Sequence, residues 1–197
     1  MTGIELPKTK KGRETFNALV EAAGQQFYLK SYHGATIKDI TEAAGVGLGT
    51  FYIYFDSKLT CYAYLLRQYS HKIRRTISER VEGLTAQREI ECVGLQVFLE
   101  MVRDDQHMYN IIWESLMVDP ELFKEYYTGF SERYQKGILQ GQDTGEISPG
   151  NPEIISYILM GVSNFIGIRY ALFSKEEDLE AVSEAVISLL ETGLFNQ

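Results

Sequence analysis

The chain has 197 residues, 45% of them hydrophobic and 23% charged, with a formal net charge of −8. That composition is ordinary for a globular protein and long enough for one domain or two small ones. Cys61 and Cys92 supply neither a disulfide framework nor a Cys-x-x-Cys zinc spacing, and the opening MTGIELPKTKKGR lacks the apolar core of a signal peptide, so a cytoplasmic setting is expected.

The charge is unevenly placed. Residues 1–58 hold seven Lys or Arg and six Asp or Glu, a balance of +1, which leaves −9 for the remainder. Lys8, Lys10, Lys11 and Arg13 cluster just ahead of the first helical pattern. Such tails are often plain solvated termini, but a near-neutral front on an acidic body also suggests two tasks.

Taken in order, nearly every segment reads as helix. Phe16, Leu19, Val20, Ala23 and Phe27 recur at helical spacing and predict a helix over 11–30. Thr36 caps a second helix to Ala44, with Asp39 near the capping-box position, and Gly45 suits a left-handed turn. A third helix covers about 47–54, its Phe51 and Phe55 packing inward with Ile40 and Val46.

Asp56 or Ser57 can cap a fourth helix, along which Tyr62, Leu65, Leu66, Tyr69, Ile73, Ile77 and Val81 form an apolar stripe to Gly83. Further helices are expected from Thr85 through Met101 and around Met108–Leu116. Asp119-Pro120-Glu121 and Asn151-Pro152-Glu153 are start signals: a cap, a proline in the first turn, then an acid at the positive helix end. Between them, GQDTGEISPGN reads as a loop. Ser174-Lys175-Glu176-Glu177 has capping-box form and opens the last helix. The fold class expected is all-α, with about nine helices.

The stretch IISYILMGVSNFIGIRYALF, residues 154–173, is long enough for a membrane span, with Arg169 its single charge. Ser156, Ser163, Asn164 and the caps at both ends favour a buried helix at a subunit interface instead.

Two short helices joined at a glycine form a helix-turn-helix. TIKDITEAAGVGLGTFYIYFDSK, after a helix ending QQFYLKSYHGA, resembles the N-terminal DNA-binding domain of tetracycline-repressor (TetR) type regulators. The resemblance implies a DNA-binding domain over 1–57 and a ligand-binding and dimerisation domain over 58–197. It places Thr36, Lys38, Gly47, Leu48, Thr50, Tyr52 and Tyr54 at DNA-contact positions and Lys58 at a phosphate-binding one. Gly47 and Leu48 depart from the polar residues common there, which leaves phosphate contacts dominant and Leu48 facing a thymine methyl. Ile53 stands where Tyr is common.

The resemblance further implies a small, largely apolar or aromatic effector. Tyr109 and Trp113, then Phe123, Tyr126, Tyr127, Phe130 and Tyr134, then Tyr157 and Phe165 are candidates to line its site, although aromatics at helical spacing are more often core. The last two helices of each subunit are expected to make the homodimer, with Gly161, Ser163 and Gly167 allowing close approach and Leu179, Val186 and Leu190 supplying apolar contact. The function implied is a ligand-responsive regulator, most readily a repressor, acting on a near-palindromic double-stranded DNA operator. An interaction or small-molecule-binding protein with a degenerate front is the alternative, and a helical enzyme a further one. No Ser–His–Asp order, phosphate loop or dinucleotide glycine pattern occurs, neither Cys has an evident neighbouring base, and Asp104-Asp105-x-His107 lacks a local third ligand. No catalytic residue, metal or cofactor is therefore expected.

Overall fold

Thr9 begins the first helix by accepting the Gly12 N–H on its hydroxyl, at 3.0 Å. The helix, α1 (Lys10–Gly34), opens a computed structural model that describes residues 3–193. It is followed by α2 (Ile37–Ala43), α3 (Leu48–Tyr54), α4 (Lys58–Arg80), α5 (Gln87–Asp104), α6 (Gln106–Val118), α7 (Pro120–Thr144), α8 (Pro152–Ile166) and α9 (Leu179–Thr192). Among the described residues the fold is all-α, as the sequence predicts, with one isolated backbone bridge between Ile4 and Phe55.

Contacts group the chain into two compact units. The first comprises residues up to Tyr69 together with His107–Tyr126. Phe16, Leu19, Ala23, Phe27, Ile40, Phe51 and Phe55 form its core with Tyr62, Leu65 and Ile111. The expected inward pair is in place: Phe51 and Phe55 are fully buried beside Ile40, with Val46 packed against them. Tyr62 reaches across this core and donates its hydroxyl to the Ile111 carbonyl at 2.6 Å. Burial, then the nearby Glu114 carboxylate, pushes that phenol well above its ordinary range.

The second unit comprises Ser70–Gln106 and residues from Tyr127 onward. Here α5 packs against α8 and α9, burying Leu95, Val97, Leu99, Met160, Leu179 and Ile187. Arg88 on α5 pairs with both Glu184 and Glu191 on α9. Ser131 and Ser156 share a buried hydrogen bond of 2.7 Å between α7 and α8.

Several helix ends differ from expectation. Ser31, at φ 59°, breaks the helical run near the end of α1. Beyond α8 the backbone widens into a π-helical segment, Gly167–Leu172, instead of continuing as α-helix to Phe173. Ser174 does bond Glu177, at 3.2 Å, but α9 starts later because Asp178 accepts the N–H groups of Glu180 and Ala181. α5 begins at Gln87, past Thr85. The predicted caps Thr36, Ser57, Asp119 and Asn151 all take the first-turn amides expected of them.

Candidate nucleic-acid interface

Local chemistry builds the α2–turn–α3 unit. Thr36 accepts the Asp39 N–H and Asp39 accepts the Thr36 N–H, at 3.1 and 2.8 Å, a reciprocal capping box. Lys30 adds an ion pair to Asp39 at 2.7 Å. Together the Lys30 and Thr36 hydrogen bonds hold this carboxyl far below the usual carboxylate range. At the other end Gly45, at φ 68°, closes the turn and lets the Val46 N–H reach the Thr41 carbonyl.

In α3 the helical rotation separates two faces. Phe51 and Phe55 lie inward, with ring centroids 5.5 Å apart. Leu48, Gly49, Tyr52 and Ile53 form the outward face, and the three side chains are each more than half exposed. Gly47 is exposed and Thr50 is half-buried. A Cβ built on Gly47 or Gly49 would meet nothing within 4 Å. Lys38 on α2 projects into solvent with Glu42 3.6 Å away.

Two residues expected at DNA are committed elsewhere. Tyr54 shares the inward side with Phe51 because it lies three positions on. It stacks edge-on against Phe16 and donates to the Gly12 carbonyl at 3.3 Å. Lys58 turns its ammonium onto the carbonyls of Tyr32 and Ala35, at 2.6 and 2.7 Å, over the Tyr32 ring. Burial lowers its pKa, against the pull of Glu114. Thr36, though exposed, has its hydroxyl engaged by Asp39.

The basic cluster is visible in the sequence, but the attachment of the arm ahead of α1 is not. Glu5 N–H donates to the Tyr54 carbonyl and Asp56 N–H to the Gly3 carbonyl, at 3.0 and 3.1 Å. These bonds fasten residues 3–5 along the end of α3, and the Tyr54–Gly12 bond fastens the start of α1 there. Lys8, Lys10, Lys11 and Arg13 are exposed on the arm and the start of α1, which these bonds tie to the end of α3. A segment of mixed composition gives no periodic signal for such a pairing.

The effector candidates divide between the units. Tyr109, Trp113, Phe123 and Tyr126 belong to the first, Tyr127, Phe130, Tyr134, Tyr157 and Phe165 to the second. Tyr109 is buried edge-on to Trp113, and burial pushes its phenol up to about 12. Tyr127 donates to Asn164 at 3.2 Å, and Phe130 lies under Arg74. Tyr134 donates to the Glu91 carboxylate, whose pKa burial raises. Tyr157 and Phe165 make one exposed stripe on α8 with Ile154 and Ile158, and the half-buried Gly161 lies along it.

Of the residues expected at the dimer interface, Gly161 lies on that stripe with open space beyond it. Leu190 is exposed on α9 and Val186 half-buried. Leu179 and Gly167 are buried within the protomer, where Leu179 begins α9 and Gly167 begins the π-helical segment. By length and composition alone Pro152–Leu172 is long and apolar enough to cross a membrane, and it is mostly not buried within one protomer. Among the described residues no group of three or more His, Cys, Asp or Glu side chains could hold a metal ion. Cys61 is fully buried, its thiol pushed up to about 12 by burial.

Comparison with known proteins agrees with this geometry. Residues 19–65 match the family model described as bacterial regulatory proteins, tetR family. The HTH-type transcriptional repressor DhaR of Mycobacterium sp. strain GP1 is 30% identical over 179 residues, which cover 87% of this chain and 90% of that protein. The fatty acid metabolism regulator protein of Bacillus subtilis strain 168 is 22% identical over 198 residues, covering 95% and 100%. A crystal structure of the regulator FadR from Bacillus subtilis with stearoyl-CoA superposes with a TM-score of 0.78 at 20% identity, covering 91% of this chain and 100% of that one. A reciprocally capped helix-turn-helix with an exposed reading helix, in a chain that aligns with DhaR over nearly its whole length, therefore belongs to the TetR family of ligand-responsive, DNA-binding transcriptional regulators.

Proposed function

We propose that the protein is a cytoplasmic homodimeric repressor, released from a near-palindromic operator by an effector with an apolar acyl or aromatic body. Residues 1–57 act as the reading head and 58–197 as the effector and pairing part. The observation that carries the reading is the outward face of α3, where Leu48 and Tyr52 stand exposed four positions apart while Phe51 and Phe55 anchor the helix from behind. The alignment with a repressor supports the direction of control. Thr50 and Lys38, with the basic start of α1, supply phosphate contacts, because hydroxyls and cations bond phosphate oxygens without regard to sequence.

Pairing through the last two helices is supported by the exposed stripe on α8 and by Leu189 and Leu190 on α9. An apolar face of that length is costly in water and is covered when a second copy presents the same face. Long-chain acyl-CoA is the first effector class to try, since the structurally similar FadR was crystallised with stearoyl-CoA. Binding would shift the dimer toward a state whose reading heads no longer fit successive major grooves, by no more than the ligand's preference for that state.

Selection of bound duplexes from a random DNA pool, followed by gel shift with stearoyl-CoA, tests the reading. A dyad-symmetric sequence, bound by a dimer and released by the thioester, is expected. Failure to enrich any sequence would favour an interaction protein with a degenerate front, and enrichment without release would remove the acyl-CoA assignment alone.

A further inference from the structure

The recognition helix LGTFYIY contains no Arg, Lys, Asn, Gln, Asp or Glu. In the major groove, guanine is read chiefly by Arg or Lys and adenine by Asn or Gln, each through paired hydrogen bonds. None of those pairings is available to α3. What its outward face offers is apolar: Leu48 is 52% exposed, Tyr52 53% and Ile53 60%. Major-groove edges present one apolar feature, the C5 methyl of thymine.

Two further observations fit that occupant. Gly47 and Gly49 are exposed, with open space where a Cβ would stand, so the backbone at the start of α3 can sit closer to a groove floor than one carrying Cβ atoms there. The Tyr52 ring stands edge-on to the buried Phe51 at 5.6 Å, which limits its freedom to follow a base. Charge is segregated from this face: the side chain of Lys38 is 76% exposed on α2, and Lys10, Lys11 and Arg13 are exposed where Tyr54 ties α3 to Gly12. Cations on the elements next to α3 suit phosphates, and an apolar reading face suits the methyls between the groove rims.

We propose, resting on the DNA-binding reading above, that this protein identifies its operator by pyrimidine C5 methyl groups, seated against Leu48 and bordered by Tyr52 and Ile53. Thymine is the ordinary source of that group, and 5-methylcytosine presents the same methyl. Base hydrogen bonds are left to the Tyr52 hydroxyl, so methyl count and groove shape carry much of the specificity.

The test uses the full chain and the duplex recovered by selection, with each thymine replaced singly by deoxyuridine, which keeps every hydrogen-bonding group and loses only the methyl. Affinity is expected to fall about three- to fivefold at each contacted position, the worth of roughly one buried methyl. Leu48→Ala, confirmed as folded by its circular dichroism and melting, should bind the parent duplex more weakly and no longer distinguish thymine from deoxyuridine. At the same positions 5-methylcytosine should bind more tightly than cytosine. Equal affinity for every deoxyuridine duplex, or undiminished discrimination by Leu48→Ala, would overturn the proposal while leaving DNA binding intact. A chain that enriches no DNA would instead defeat the regulator reading beneath it.

Discussion

The Lys58 ammonium lies 2.7 Å from the carbonyl oxygen of Ala35, so the first residue of α4 caps the chain where it leaves α1. The same group takes the Tyr32 carbonyl, and the Glu114 carboxylate of α6 takes the Tyr32 N–H at 2.7 Å. Lys58→Met keeps the apolar stem and orphans both carbonyls, at a cost of about 1–3 kcal/mol. Chemical denaturation should show that loss, and weaker operator binding should follow in gel shift because α2 follows Ala35 directly. Unchanged stability would mean that the two bonds add nothing net over water.

Backbone conformation predicts two changes of opposite sign. Ser31 is the one non-glycine residue at positive φ among the described residues, at φ 59° and ψ 166°. Ser31→Gly should raise stability by about 1 kcal/mol, since glycine adopts that conformation without a Cβ penalty. Gly45→Ala should lower it by about 1 kcal/mol: φ is 68° and nothing lies within 4 Å, so the penalty is conformational and not a clash. Melting curves of the two variants should move in opposite directions.

Glu91 yields a pH prediction. Burial raises its pKa in the folded chain, opposed by hydrogen bonds from Tyr134 and Gln87. The unfolded carboxyl ionises near pH 4.3, so above that pH the folded state progressively bears the cost of burying the charge. Glu91→Gln keeps an oxygen for the Tyr134 hydroxyl and removes the charge. It should be at least as stable as the parent at pH 7, and any gain should disappear below about pH 4, where the parent is protonated in both states. Thermal unfolding at the two pH values reads the difference; a variant clearly less stable at pH 7 would show that the carboxylate's hydrogen bonds outweigh its burial.

Ile158 stands at the middle of the exposed α8 stripe, between Ile154 and Phe165. Ile158→Glu places a charge on each side of the proposed twofold interface while leaving the protomer interior alone. Light scattering at micromolar concentration should shift from dimer to monomer, with operator affinity falling as the paired reading heads separate. A stable dimer in the variant would put the interface elsewhere.

Much of this protein was already legible in its sequence because the relevant signals are local. Thr36 with Asp39, Gly45, the Pro120 and Pro152 starts, and the Phe51–Phe55 pair each act within four residues, where capping geometry and helical rotation leave little choice. What lay outside such short spans was settled only by tertiary contact. Whether Lys58 and Tyr54 face solvent depends on carbonyls 23 and 42 residues away in sequence. The attachment of the basic arm to α3 depends on backbone groups with no side-chain pattern. On α8, apolar over most of its surface, periodicity could not choose which side to bury; packing against α5 and the buried Ser131–Ser156 bond chose it, leaving Tyr157 and Phe165 outside. Local rules determine which residues form a helix and where it stops, but the direction a side chain faces depends on which partner is available to it, and that partner is supplied by the fold.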